Sequence, residues 1–426
     1  MKNKIFTLSV IVMMAVCIAN AQTWTQMNSG SGSDLKGIYF PSSNVGYAVG
    51  TLGTILKTTN SGTTWQSTTS NYQGYWFWDV HFLNADTGFV VGESDPGFNP
   101  NGAGIILRTT NGGATWNAMV MNAPNPFRDL FVLDANTMFA CGGAEGINTA
   151  LLKSTNGGTT WNSLGLTFVD ATMGGMYFID NNVGFVGMYE SVFGTANPTS
   201  STWFTTTNGG AMFTPFVIPN SISYWNFATD FGDATTGYST RSTYSGIDLV
   251  YIKKTTDGGN TWTETTIPNF IGSIYGLDFI AADTGYIVGA QGVIKKTSDA
   301  GATWITETSG TFNELRSVYF PNSALGFAAG ANGTILKWTA SSIGINENNS
   351  SASSNVYPNP NTGKFTLNNF EGNSIVEIVN AKGQIVLSEQ VVLSNHMLDI
   401  SDFAAGVYSI VVRSRNKVER IKVVKE

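Results

Sequence analysis

The sequence is short of the residues from which most catalytic and metal sites are built. Histidine occurs only at His81 and His396, and cysteine only at Cys17 and Cys141. The two histidines fall in regions that read as different domains. A His-based zinc site or a Ser-His-Asp triad within one domain therefore has little material. Charge is sparse as well, at 12% of residues. Long amphipathic helical stretches are missing, which removes helical bundles and α/β folds. The longest apolar run, Ile5 to Ile18, has 14 residues and is short for a bilayer span. No cofactor and no metal site is expected from this inventory.

That apolar run follows Lys2 and Lys4 and precedes Ala19-Asn20-Ala21, small residues at a cleavage spacing. Residues 1–21 read as a signal peptide cut after Ala21, leaving no transmembrane span. A lipoprotein reading through Cys17 lacks the small residue before the cysteine, where Val16 stands. With Cys17 removed, Cys141 is alone and no intramolecular disulfide forms in an exported chain. The net charge of −7 is uneven. Residues 345–426 hold eight acids and eight bases, so the body between leader and tail carries −9. An acidic body argues against nucleic acid as a partner.

What the chain has in abundance is glycine, 48 residues, and aromatics, 12%. With many threonines this composition suits short strands and tight turns, an all-β class. A repeat dominates. KTTNSGTTW ends at Trp65, RTTNGGATW at Trp116, KSTNGGTTW at Trp161, KTTDGGNTW at Trp262 and KTSDAGATW at Trp304, with a degenerate TTTNGGAMF ending at Phe213. The spacings of 51, 45, 52, 49 and 42 residues are those of a four-stranded propeller blade. Each copy has a first strand such as LKGIYF (35–40), a second such as GYAVG (46–50), a third such as TILKTT (54–59), and a fourth opened by the Trp. Asn-Gly and Asp-Gly pairs between strands are hairpin signals because they tolerate positive φ. The last unit, 315–341, lacks a fourth strand, and residues 23–28 at the other end resemble one. Seven first strands and seven fourth strands match if that N-terminal ribbon closes the ring, which removes exposed edges. The expectation is a seven-bladed β-propeller over 22–341.

The turn and its Trp resemble the Asp-box of BNR-repeat proteins, [S/T]-x-[D/N]-x-G-x-T-W. The GYAVG and ILKTT pattern resembles the propellers of photosystem II assembly/stability factors and their bacterial relatives. The resemblance implies structural roles for Asn60, Trp65, Asn111, Trp116, Asn156, Trp161, Asn208, Phe213, Asp257, Trp262, Asp299 and Trp304. After a Ser/Asn-rich linker at 342–354, residues 355–426 carry YPNPNTGKF, NAKGQ and LDISDFAAGVY. These motifs resemble the type A sorting domain of type IX secretion, which implies a small β-sandwich and the type IX machinery as a partner. An ordinary adhesion-type sandwich fits the same strands. The implied location is secreted or attached to the outer cell surface.

A binding face is legible by aligning the repeats. The column at the start of strand one holds Lys36, Trp78, Arg128, Gly174, Phe227, Tyr275 and Arg316. Mixed cations and aromatics at a channel mouth suit an anionic or sugar ligand. The same long side chains also suit the covering of blade seams. Long loops at 93–101, 189–201 and 241–246 fall on the same face. The oxygens of Glu93, Asp95, Asn99 and Asn101 do not have EF-hand spacing, so that loop reads as a solvated turn. For catalysis, Asp79 and Asp129 are the nominated carboxylate pair, as a glycoside hydrolase of the Asp-box type would need. Asp230 and Asp278 read as hydrogen-bond partners between blades. Sialidase chemistry is disfavoured: only Arg108, Arg128, Arg241 and Arg316 are present in the repeats, and Arg108 lies at the opposite face. The leading expectation is a non-enzymatic binding or scaffold module for an extracellular protein or glycan. The alternative is a polysaccharide hydrolase.

Overall fold

A computed structural model describes residues 24–340 and 355–426, apart from 69, 96, 98–101, 145–147, 169–170, 191–201, 218–223, 226–227, 244–249, 269, 271, 369–372, 381–383, 393–394 and 415–417. The leader at 1–21, the linker at 342–354 and the Ala-Lys-Gly turn at 381–383 thus lie outside the described residues. The chain divides into two compact units, one ending at Ala340 and one beginning at Ser341.

The first unit is a β-propeller. Seven antiparallel sheets are described in it, six of four strands and one of five. Six of them run in chain order from an inner first strand to an outer fourth. The remaining sheet joins the two ends of the unit. Strand Thr25–Met27 pairs with Ile335–Thr339, with Thr25 opposite Lys337 and Met27 opposite Ile335. Neighbouring first strands pack side by side in one cycle: 35–39, 75–82, 129–132, 171–178, 229–231, 274–279, 315–322, and back to 35–39.

Aromatic residues fill the seams between sheets. The ring at position two of each Gly-Tyr/Phe strand stacks on the Phe that ends the next first strand. Phe327 lies 3.9 Å from Phe40, Tyr47 3.9 Å from Phe82, Phe139 3.8 Å from Phe178, and Tyr238 3.6 Å from Phe279. The box Trp then meets that Phe edge-on, as Trp65 meets Phe40 at 5.8 Å and Trp116 meets Phe82 at 5.9 Å. Trp24 stands in the same relation to Phe320, at 5.9 Å and 89°. It therefore supplies the last sheet with the indole that the missing box leaves out. The seam at Phe89 is the exception, with Val132 in place of the Phe.

The box itself is a closed hydrogen-bond unit. Asn60 Oδ1 accepts from Thr58 Oγ1 and from Thr64 N, while Thr58 Oγ1 accepts from Gly62 N. The same bonds recur at Asn111, Asn156, Asn208, Asp257 and Asp299. Gly62 takes φ 74°, and a Cβ there would lie 2.5 Å from the Phe327 ring. Glycine is required by the turn and by the seam together.

The second unit is a β-sandwich. One sheet orders 355–357, 364–368 and 395–399, and the other 385–391, 374–379, 406–413 and 418–425. Phe365, Leu367, Val376, Ile378, Leu398, Ile410 and Val412 form its core. The Pro-Asn-Pro-Asn opening clamps the final strand: Asn359 Nδ2 donates to Lys422 O at 2.8 Å, and Asn361 Nδ2 to Val424 O at 3.1 Å.

Candidate functional site

A repeated β-bulge builds the channel mouth. Leu35 pairs with Gly50 and Gly37 with Val49, so Lys36 has no partner between them. Trp78, Tyr275 and Arg316 are skipped in the same way. A bulge interrupts the two-residue alternation of a strand. As a result, the bulged residue and its successor line the same cavity, as Trp78 and Asp79, Tyr275 and Gly276, and Arg316 and Ser317 do. The bulge also accounts for the last glycine of the second strand. A Cβ on Gly50 would sit 1.9 Å from the Asp34 carbonyl oxygen, and one on Gly330 1.9 Å from that of Glu314.

The cavity has a volume of about 330 Å³. Lys36, Trp78, Arg128, Gly174, Tyr275 and Arg316 all line it. Phe227 lies outside the described residues. The Arg128 guanidinium is 4.1 Å from the Trp78 ring centre and that of Arg316 4.0 Å from Tyr275, with Lys36 Nζ 5.4 Å from Trp78. Both guanidiniums lie over the aromatic faces that a sugar would stack on. The surface offered to a ligand is therefore cationic edges more than free rings.

Each cation has an acid beside it. Glu93, only 2% exposed, accepts from Arg128 Nη1 at 2.7 Å and from Trp78 Nε1 at 2.9 Å. Asp34 lies 3.4 Å from Lys36, and Glu314 pairs with Arg316. Burial raises the Glu93 carboxyl against the opposing pull of Arg128. Burial, then the charge of Arg316, lowers the Lys36 ammonium. Glu93, read from sequence as part of a solvated loop, is instead the residue that holds Arg128 and Trp78 together. The signal for the other two pairs is the acid-Leu-base triplet, Asp34-Leu35-Lys36 and Glu314-Leu315-Arg316. Among the described residues, no group of three His, Cys, Asp or Glu side chains is placed to hold a metal ion.

Asp79 and Asp129 also line the cavity, on adjacent first strands. Their oxygens are engaged by main chain. Asp79 Oδ1 accepts from Val80 N at 2.8 Å and Oδ2 from Leu130 N at 3.2 Å, across the seam. Asp129 Oδ2 accepts from Met176 N at 2.6 Å, across the next. Asp230 and Asp278 do the same two residues further along, accepting from Phe279 N at 2.6 Å and Phe320 N at 2.8 Å. Burial, then the charge of Asp129, pushes Asp79 up to about 8. Burial raises Asp129 too, and it takes Asp230 to about 7. His81, two residues along the same strand from Asp79 and beside Tyr39, is held down to about 4 by burial. Both carboxyls that line the cavity, Asp79 and Asp129, are thus raised by enclosure.

The box residues are remote from this chemistry. Trp65, Trp116 and Trp304 are buried in the seams, and Trp161, Phe213 and Trp262 half-buried. Arg108 lies over Phe89 beside a box turn. Residues 191–201 and 244–246 of the long loops lie outside the described residues, as does the Arg241 side chain.

Comparison with known proteins places both units. Residues 16–126 match the family described as photosynthesis system II assembly factor YCF48, and residues 355–426 match the secretion system C-terminal sorting domain. No curated protein matches in sequence. Among solved structures, YCF48 bound to a D1 peptide superposes with a TM-score of 0.56 at 18% identity, covering 74% of this chain and 97% of that one. YCF48 from Cyanidioschyzon merolae gives 0.56 at 21%, covering 74% and 98%. The GH74 enzyme of Niastella koreensis gives 0.55 at 16%, covering 95% and 74%. At these identities the likeness is one of fold. The tail implies export through type IX secretion to the cell surface or the extracellular space.

Proposed function

We propose that this protein is an exported binding module, a closed seven-bladed ring whose cation-lined mouth captures an extracellular protein or glycan without chemistry. The leader is removed after Ala21, and the sandwich at 355–426 is the export address. One observation carries the reading: Lys36, Trp78, Arg128, Tyr275 and Arg316, scattered over the chain, converge on one cavity. The carboxylates in that cavity are meanwhile spent on main-chain N–H groups of the neighbouring strand. A peptide is one kind of occupant that a propeller of this shape accepts, as the D1-peptide complex of YCF48 illustrates.

Arg316→Ala tests it. The ion pair of Arg316 with the exposed Glu314 is worth only about 0–1 kcal/mol, and the stacking on Tyr275 adds about 0.5–1 kcal/mol. The mature chain is immobilised and probed with a peptide library and a polysaccharide panel. Binders of the parent chain should be lost or weakened in the variant, with the melting temperature lowered by no more than a few degrees. Unchanged binding would remove the mouth from the account. The hydrolase reading draws on the raised carboxyls of Asp79 and Asp129 in the same cavity and on the GH74 likeness of fold. Polysaccharide cleavage by the parent, abolished in Asp79→Asn, would establish it instead.

A further inference from the structure

The Asp-box turn poses a chemical problem. It needs a left-handed residue directly after the Asn or Asp: φ is 55° at Ser61, 63° at Gly112, 69° at Gly157, 67° at Gly209, 67° at Gly258 and 59° at Ala300. Glycine suits that conformation best, and the result is three Asn-Gly pairs and one Asp-Gly pair. Asn-Gly is the dipeptide most prone to self-modification. The main-chain nitrogen of the glycine, once it loses its proton, attacks the Asn Cγ and expels ammonia. Water then opens the five-membered imide to aspartate or isoaspartate. Isoaspartate adds a methylene to the main chain and would break the turn. A chain working outside the cell is not replaced while it serves.

We infer that the fold protects its own boxes from this reaction, by tying down both the attacking nitrogen and the attacked side chain. The nitrogen is a donor in every copy. Ser61 N donates to Asn44 O at 2.9 Å, Gly112 N to Asp86 O at 2.8 Å, and Gly157 N to Asn136 O at 3.0 Å. Gly209 N donates to Asn182 O, Gly258 N to Thr235 O, and Ala300 N to Asp283 O, each at 2.9 Å. All six acceptors are carbonyls of the loop joining strands one and two of the same sheet. The Asn side chain is clasped from both sides. Asn111 Oδ1 accepts from Thr109 Oγ1 at 3.0 Å and from Thr115 N at 2.9 Å, while Nδ2 donates to Thr115 Oγ1 at 2.9 Å. An amide N–H engaged in this way is a poor acid, and the clasp restrains the side chain that would have to turn toward it. Two Asn-Gly pairs lie outside the boxes: Asn101 is outside the described residues, and in the pair at 332–333 the glycine nitrogen is also engaged, Gly333 N donating to Ser33 O at 2.8 Å. The box thus serves as a turn and as a guard on the labile sequence that the turn requires.

The test is peptide mapping by mass spectrometry of the mature chain, held at mildly alkaline pH either folded or unfolded in urea. In the folded chain Asn111, Asn156 and Asn208 should convert at least about tenfold more slowly than in urea, since a tenfold factor corresponds to only about 1.4 kcal/mol of opening. Thr109→Val removes one arm of the clasp in a single box and keeps the side-chain shape. Asn111 should then convert faster, while Asn156 and Asn208 in the same molecules stay slow. Conversion of the three sites at the unfolded rate in the folded chain would overturn the inference. So would a folded Thr109→Val chain in which Asn111 remains as slow as the other two.

Discussion

Replacing Trp24 with Ala probes the joint on which ring closure depends. The closing strand is only three residues long, and Thr25 and Gln26 are exposed. Apart from its backbone ladder, its hold on the sheet is the half-buried Met27 and, chiefly, the Trp24 side chain, 5% exposed. That indole packs edge-on against Phe320 and Tyr286, at 5.9 and 6.0 Å, and lies in one cluster with Trp338. Its Nε1 donates to Glu307 Oε2 at 2.7 Å. Loss of a buried Trp costs about 3–5 kcal/mol, and a stranded polar partner adds about 1 kcal/mol or more. The equivalent change at Trp65, which packs on Phe40 in the same way, should cost the packing term alone. Trp24→Phe should keep much of the packing and lose the hydrogen bond, a change of about 1–2 kcal/mol. Urea unfolding followed by tryptophan fluorescence measures all three. A Trp24→Ala chain that lost less than about 1 kcal/mol, the scale of a surface substitution, would mean that the N-terminal ribbon does not seal the ring.

Two further outcomes follow from the channel. Arg128→Ala leaves the buried Glu93 carboxylate without its cation, so it should destabilise by about 3–5 kcal/mol, and adding Glu93→Gln should recover much of the loss in a thermal melt. The Asp79 carboxyl, at about 8 when folded against 3.8 in the free group, binds its proton more tightly in the native state. Its contribution is therefore fully present below 3.8 and is lost as pH rises through about 8. The melting temperature should fall across that window, and less steeply in Asp79→Asn; an identical slope in the variant would refute the assignment.

The propeller class was legible because its grammar is written in residues that have one job each. The box Trp marks the fourth strand, the Asn/Asp-Gly pair the turn, and the Phe at the end of LKGIYF the seam. Trp24 could be recognised as the stray fourth strand for the same reason. The mouth column was legible by alignment, but its cause was not. Alternation in a regular strand would send Arg316 and Ser317 to opposite faces, and only the bulge brings a bulged residue and its successor to one cavity. Asp79 and Asp129, nominated as a carboxylate pair and set apart from Asp230 and Asp278, accept an N–H from the next first strand just as those two do. Such bonds depend on the spacing between neighbouring sheets, which no local pattern contains. Glu93 was seen as a loop acid because its partners are far apart in sequence, Trp78 on one first strand and Arg128 just ahead of the next.

The repeats act as an internal control on where binding can reside. The position that ends the first strand holds Phe in Phe40, Phe82, Phe178, Phe231, Phe279 and Phe320, since each must stack on the ring before it or receive a Trp or Tyr edge. The bulged position is under no such demand. It makes no ladder pair with the second strand, so Lys, Trp, Tyr and Arg occupy it without disturbing the scaffold. Chemistry can vary there at little cost in stability, provided each new charge brings its own neighbour. Asp34 for Lys36, Glu314 for Arg316 and Glu93 for Arg128 meet that condition. These internal acids occupy the edges where a ligand carboxylate would sit. Asp34 and Glu314 are partly exposed and can be displaced by a ligand at little cost, whereas Glu93 is buried and stays. The exchangeable part of the mouth is therefore the Lys36 and Arg316 side, where the last first strand meets the first.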